Sequence, residues 1–322
     1  ARFLNENLMT GLILWNALVE LGISYLQDPV NPYSVVKSTR ELVLDTVQFP
    51  RNTLKLKSGD CDDLTALLSS LFENSGLHVA ILDYPSHIAL MFDTEFSDAR
   101  EIGIPEEYFI KYNNSLWLGI ETTMLGKSFY DSIKQAADTY KKSEKEVRII
   151  DVRNAWSEFE PVTLPDAELD SYPDKEKMNK RISEEVKAFS GVRYEYLKNY
   201  FSAIILQNPD DVDANLNLGI LYAQYNENST AKKHFNTIIQ KDPFNASALN
   251  NLGNISFNEG NFEQAKDFYF KASKSDAYDA NIWLNLARAS VKLGKKEDVR
   301  DFVERAVKLD PNVRSIGDKL LK

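Results

Sequence analysis

The residues of this chain whose types and spacing can do covalent chemistry are a single cysteine, one of three histidines and a strand-borne carboxylate. Cys61 lies in Ser58-Gly59-Asp60-Cys61-Asp62-Asp63-Leu64, just ahead of Leu64, Leu67, Leu68, Leu71 and Phe72, which recur with a helical period. That spacing puts the thiol at the start of a helix, with Ser58 or Asp60 as the cap. Free backbone N–H groups and the helix dipole favour a thiolate there, while Asp60, Asp62 and Asp63 oppose it by like-charge repulsion. A base is therefore needed. His87 opens one strand-like run, His87–Phe92, and Glu121 stands near the end of another, Leu116–Thr122. A nucleophile on a helix, an imidazole on one strand and a carboxylate on the next can work as a triad. The imidazole takes the thiol proton and the acid fixes its tautomer. An oxyanion would be met by the backbone N–H of Cys61, with the Gln48 side-chain amide as a further candidate.

Each of these residues also has a plainer reading. A lone cysteine in a helical pattern is most often a small core residue, and a lone histidine a satisfied, half-buried one. Against that, Cys61 lies on the polar, capped side of the helix start, before the apolar stripe begins. The three neighbouring aspartates lack the glycine and distal glutamate of a calcium-binding loop, so they are read as capping and no metal is expected. His78 and His234 are expected at the surface.

Outward along the chain, helical patterns run to about Val47, including an amphipathic stretch from Leu8 to Leu26 that Asn16 and Glu20 mark as packed rather than membrane-spanning. A polar loop is expected over Arg51–Asp60, then the Cys61 helix, ended by Gly76. A strand-like run His78–Tyr84 comes before the two that carry His87 and Glu121. The polar insertion Asp93–Ser115 is expected to loop out as a lid or substrate wall.

In this order of elements the chain resembles the transglutaminase-like superfamily over about residues 20–135. The resemblance is carried by Gly59-Asp60-Cys61-Asp62-Asp63, Leu68 through Gly76-Leu77, Ser86-His87-Ile88, and Trp117 with Glu121-Thr122-Thr123. It implies a papain-like thiol mechanism, in which Cys61 attacks an acyl carbon, His87 is general base and then acid, and Glu121 orients His87. Glu121 stands where that family most often has aspartate, and the histidine-to-acid gap is long.

The C-terminal third repeats itself. Asn217-Leu218-Gly219 recurs 34 residues on as Asn251-Leu252-Gly253 and 34 further as Asn285-Leu286-Ala287. Ala231, Ala265 and Val299 follow in step, then Phe235, Tyr269 and Val303, and Pro243 and Pro311 close two of the units. The pattern over about 212–313 resembles the tetratricopeptide repeat (TPR), with a degenerate unit before it and a capping helix after. The resemblance implies that Asn217, Asn251 and Asn285 face a concave groove. There each amide could pair with the backbone of an extended peptide, or else satisfy local helix contacts.

The expected fold class is therefore α+β: a transglutaminase-like, papain-like domain over 1–140, a connector over 141–175 and an all-α TPR solenoid over 176–322. The net charge of −10 argues against nucleic acid as a partner, and a single cysteine allows no internal disulfide. No cofactor is expected, and the expected partner is a protein or peptide in the repeat groove. The start at Ala1 without an initiator methionine leans towards an exported or envelope protein. Two functional classes remain open. One is a cysteine acyl-transfer enzyme, whether protease, amidase or cross-linking transferase. The other is an interaction scaffold whose cysteine domain has lost turnover.

Overall fold

The computed structural model describes residues 4–27, 46–162 and 171–321, which form two compact units, Ala1–Tyr196 and Leu197–Lys322. The first unit reaches further than the expected 1–140, because part of the expected connector is built into its sheet. Strand Arg148–Asp151 pairs antiparallel with Val79–Tyr84. Within the span 28–45 the expected helical pattern, and within 163–170 the rest of the connector, lie outside the described residues.

In the first unit, helix α1 (Glu6–Glu20) is followed by the two-residue strand β1 (Ser24–Tyr25). The expected polar loop after residue 50 is instead largely helix α2 (Pro50–Leu56), with Pro50 at its first turn, where a missing N–H costs nothing. Its exit residue, Lys57, has φ +59°, and it hands the chain to β2 (Ser58–Gly59), which runs parallel to β1. Helix α3 (Cys61–Asn74) then buries Leu64, Leu67, Leu68 and Phe72. These meet Leu90, Phe92, Leu118 and Ile120 on one face of the sheet.

That sheet has five antiparallel strands among the described residues. In chain order they are β3 (Val79–Tyr84), β4 (His87–Asp93), β5 (Phe109–Tyr112), β6 (Ser115–Ile120) and β7 (Arg148–Asp151), and in space β5-β6-β4-β3-β7. The insertion expected to form a lid instead contributes the edge strand β5, together with a short helix, α4 (Ala99–Ile102). Asn113 and Asn114, both with positive φ, supply the tight turn that returns β5 into β6. Helix α5 (Phe129–Ser143) lies against β6, and Gly119 permits this: a Cβ there would come 2.9 Å from that of Ala136. The four-residue helix α6 (Val152–Ala155) follows β7. His78, expected at the surface, is half-buried, with Nε2 3.1 Å from Asp151 and its ring edge-on to Trp117.

Residues expected to form a degenerate repeat or helix pair make one continuous helix, α7 (Lys175–Gln207). Its first part belongs to the first unit, where Phe189 is in the core and the Glu185 carboxylate accepts from the Phe129 N–H at 2.8 Å.

The second unit is built from helix pairs: α8 (Val212–Gln224) with α9 (Asn228–Lys241), α10 (Ala246–Asn258) with α11 (Phe262–Ser275), and α12 (Ala280–Lys292) with α13 (Lys296–Leu309). Each first helix begins with a side-chain cap, from Asp211, Asn245 and Asp279 in turn. Each turn inside a pair passes through a left-handed residue at the same repeat position: Asn226, Gly260 and Gly294. The helices touch where the repeat places its small residue. A Cβ on Gly219 would come 2.6 Å from the Phe235 ring, and one on Gly253 2.5 Å from the Tyr269 ring. In the third pair the partners are Ala287 and Val303, a larger small residue facing a smaller large one. Helix α14 (Arg314–Leu320) closes the array, with its Gly317 against Val303. No helix among the described residues is long and apolar enough to cross a membrane.

Candidate functional site

The start of α3 is held by a reciprocal pair of carboxylates. Asp60 caps the helix, accepting from the N–H groups of Asp62 and Asp63 at 3.1 Å each. Asp63 reaches back to the Asp60 N–H at 3.4 Å. Asp63 is itself buried, and its other bonds come from Gln48, whose backbone N–H donates to it at 2.7 Å and whose Nε2 also donates to it. Gly59 makes this approach possible, since a Cβ there would lie 2.5 Å from that of Asp63 and 3.2 Å from Thr53 Cγ2. The amide nominated as an oxyanion donor thus supports the helix cap, and its Oε1 is buried without a partner among the described residues.

Cys61 is the first residue of α3 and is half-buried. Its thiol lies 3.4 Å from Asp62 Oδ1, to which it donates, and the Ile88 backbone N–H lies near enough to Sγ to favour its charged form. Burial pushes the thiol up to about 12; the charge of Asp62, the bond to it and the charge of Asp60 add to this, and only the Ile88 N–H acts the other way. The expected like-charge opposition to a thiolate is therefore present and adds to the larger effect of burial.

His87 faces Tyr84 in the β3–β4 register across a two-residue turn, Pro85-Ser86. Its Nε2 lies 2.8 and 3.0 Å from the two carboxylate oxygens of Glu121. Glu121 follows β6 directly and is buried. Oε1 accepts from the Thr123 hydroxyl at 2.6 Å and the Thr123 N–H at 3.2 Å. Ser132 of α5 fixes the Glu121 backbone: its Oγ accepts from the N–H at 3.1 Å and donates to the carbonyl at 3.2 Å. Burial alone would raise the Glu121 pKa, but the bonds from His87 and Thr123 outweigh it, and the group sits below the ordinary glutamate value.

The three residues nominated from sequence thus fall into two linked parts. His87 and Glu121 form a direct pair. Cys61 reaches β4 through the backbone of Ile88, the residue after His87, and no hydrogen bond joins Cys61 to His87. Since Nε2 is engaged by Glu121, Nδ1 is the ring nitrogen left for a thiol proton.

Sequence reasoning passed over several residues of the site. Tyr25, on β1 beside the Gly59 strand, has its phenol raised by burial first and then by its nearness to Cys61, Asp60 and Glu121, so it borders all three. Tyr84 is buried, with its ring stacked on His87. Ser132 lies outside the segments around Cys61, His87 and Glu121. Cross-strand pairing across the Pro85-Ser86 turn was the one available signal for Tyr84; Tyr25 and Ser132 come from distant segments and had none.

In the second unit, Asn217 and Asn251 occupy equivalent positions on α8 and α10, and each turns its Nδ2 back to the carbonyl four residues earlier, Asp213 at 2.8 Å and Ser247 at 2.9 Å. Asn285 differs, its Nδ2 bridging to Asn250 at 3.0 Å and Asn254 at 3.2 Å on the preceding pair. Each of the three amide groups thus has at least one N–H engaged within the array. His234, also expected at the surface, is half-buried, stacked on Tyr222 and bonded through Nδ1 to Asn215 at 2.9 Å. Asn215 is buried and stands at the repeat position that Trp283 holds two units on.

Two family models described as tetratricopeptide repeat match the chain, over residues 234–267 and 280–313. The chain carries tetratricopeptide repeats. Neither matched stretch reaches the first unit. No curated protein matches the sequence. Among solved structures, the chain is similar to YrrB, a TPR protein with an unusual peptide-binding site, at 23% identity and a TM-score of 0.36. That likeness covers 38% of this chain and 62% of YrrB, so the chain spans less than two thirds of YrrB's length. It is similar to MamA at 16% identity, covering 47% of this chain and 92% of that one, with a TM-score of 0.34. The likeness to a thermophilic TPR protein in Thermus thermophilus has 19% identity, 42% and 76% coverage and a TM-score of 0.36.

Proposed function

We propose that the protein is an interaction scaffold that binds a protein or extended peptide through its repeats, with a guarded thiol in its first unit. The observation that carries this reading is the register of helix pairs at 34-residue spacing, over which the TPR models match. Such an array presents a continuous surface built from successive first helices. Because one Nδ2 hydrogen of Asn217 and of Asn251 is folded back, a ligand backbone would meet their Oδ1 acceptors and the remaining N–H. The test is titration of the intact chain with a library of extended peptides by fluorescence anisotropy. The reading expects saturable binding that Asn251→Ala weakens about tenfold, the loss of one or two net hydrogen bonds. Binding unaffected by substitution at Asn217, Asn251 and Asn285 would remove the groove from the account.

The second reading is transglutaminase-like acyl transfer by Cys61, His87 and Glu121. Its support is the buried Glu121 carboxylate on His87 Nε2, which leaves Nδ1 as the base, with Sγ held against the next residue of the same strand. Against it stand the protonated state that burial and Asp62 impose on the thiol, and the lack of a bond from Cys61 to His87. Mass-spectrometric trapping of Cys61 by peptide acyl electrophiles separates the two readings. An adduct that depends on His87 favours acyl transfer, and the absence of any adduct favours the scaffold.

A further inference from the structure

Tyr84 is among the buried residues of the first unit, yet its hydroxyl makes no hydrogen bond among the described residues. Buried polar groups are nearly always paired, so an orphan of this kind calls for an explanation. With no bond made by the hydroxyl, the contacts of the residue are those of its ring. Tyr84 pairs directly with His87 across the hairpin. The two rings lie 6.1 Å apart between centroids with only 13° between their planes, an offset parallel arrangement within the range aromatic pairs prefer. The hydroxyl lies in the field of the Glu121 carboxylate and of Tyr140, the charged and titratable groups that face it. Burial and then Glu121 raise the phenol, so it stays neutral beside that carboxylate.

We infer that Tyr84 is a positioning residue for His87, its ring fixing the imidazole plane so that Nε2 stays on Glu121 and Nδ1 keeps a single direction. A carboxylate on Nε2 fixes one end of the imidazole but leaves the ring free to rotate about the line to that carboxylate. A flat neighbour on one face removes that freedom. The remainder of the hold comes from Thr123 and Ser132, which fix Glu121 itself. The geometric role belongs to the ring, since the hydroxyl contributes no bond. This deepens the thiol-site reading, because a fixed Nδ1 is what a proton acceptor for Cys61 requires. The proposal is nevertheless tested without turnover, so it stands or falls apart from that reading.

The test is nitrogen-15 and proton NMR of the histidine side chains in the intact protein, with His87 assigned by loss of its signals in His87→Gln. In the unaltered protein His87 is expected as a single Nε2–H tautomer, with its ring protons shifted upfield by the stacked phenol. Ring protons at free-histidine positions would overturn the proposal without any variant. Tyr84→Phe keeps the ring, so both signatures are expected to persist. Tyr84→Leu removes the flat face, so the upfield shift should be lost and the nitrogen signals should move towards a tautomer mixture. Signatures unchanged in Tyr84→Leu, or lost equally in Tyr84→Phe, would overturn it. Should Tyr84→Leu fail to fold, the unaltered protein and the Phe variant still decide the matter.

Discussion

The two units hold themselves together over very different distances in sequence. In the first, the decisive bonds are long-range: Asn5 to the Thr94 carbonyl, Trp15 to that of Lys127, His87 to Glu121 and Glu185 to the Phe129 N–H. One large core joins α1, α3, one face of the sheet and α7, and a smaller cluster around Leu82, Met91 and Trp117 covers the other face. In the second, side chains bond to a carbonyl four residues back or to the neighbouring pair, and the apolar contacts form several smaller clusters. The first arrangement suits a site assembled once from distant segments. The second suits a surface made by repetition, in which a local change stays local.

The largest effect that sharpens this contrast is expected in the first core. Phe72 is fully buried, edge-on to Phe92 at 5.6 Å between centroids. Phe72→Ala should cost about 3–5 kcal/mol. Amide hydrogen exchange should show protection falling across β3, β4 and β6 together. Protection lost only around residue 72 would mean that α3 and the sheet do not share the large core.

Next in size is a change in the repeats. Gly253→Ala drives a Cβ into the Tyr269 ring and should cost about 1–3 kcal/mol. The third helix pair already carries the compensated combination, Ala287 with Val303. Tyr269→Val alone removes a buried ring, but in combination with Gly253→Ala the two costs should be less than additive. A double-mutant cycle by urea denaturation measures this coupling. Strict additivity would mean that the two residues do not read one another.

Smaller again is the helix cap beside the thiol. Asp60→Ala removes the acceptor for two N–H groups and should cost about 1 kcal/mol, measured by urea denaturation at neutral pH.

The smallest effect is confined to acid. Glu121 sits below the ordinary glutamate value in the folded chain, so its contribution is full above the unfolded pKa and is lost as pH falls through the folded one. Stability measured from pH 7 downward should therefore decline less steeply in Glu121→Gln than in the unaltered chain. An identical slope would mean that the His87–Glu121 pair adds nothing to the fold.

The same contrast explains what could be read from the sequence. The repeats were legible because each unit restates its own packing: Gly219, Gly253 and Ala287 face Phe235, Tyr269 and Val303 at fixed offsets. The Cys61 helix was legible from its apolar period, and Asp60 from its place before that stripe. The edge strands β5 and β7 were not, because Phe109–Tyr112 and Arg148–Asp151 are four residues each, too short for alternation to show, and they exist only by pairing with β6 and β3. The commitment of the Gln48 amide to Asp63 and of the Asn217 and Asn251 amides to local carbonyls was also hidden, because an amide's partner is fixed by tertiary placement rather than by residue type.

The central claim for the first unit is that Cys61 is a protonated, guarded thiol. Its most direct test is the rate of Cys61 alkylation by iodoacetamide between pH 6 and 10, in the unaltered chain and in His87→Ala. With the thiol pushed up to about 12, alkylation should be slow and should keep rising to the top of that range without a plateau, with the same curve in His87→Ala. Rapid alkylation with an inflection near neutral pH that vanishes in His87→Ala would contradict the claim and make the site a thiolate–imidazolium pair.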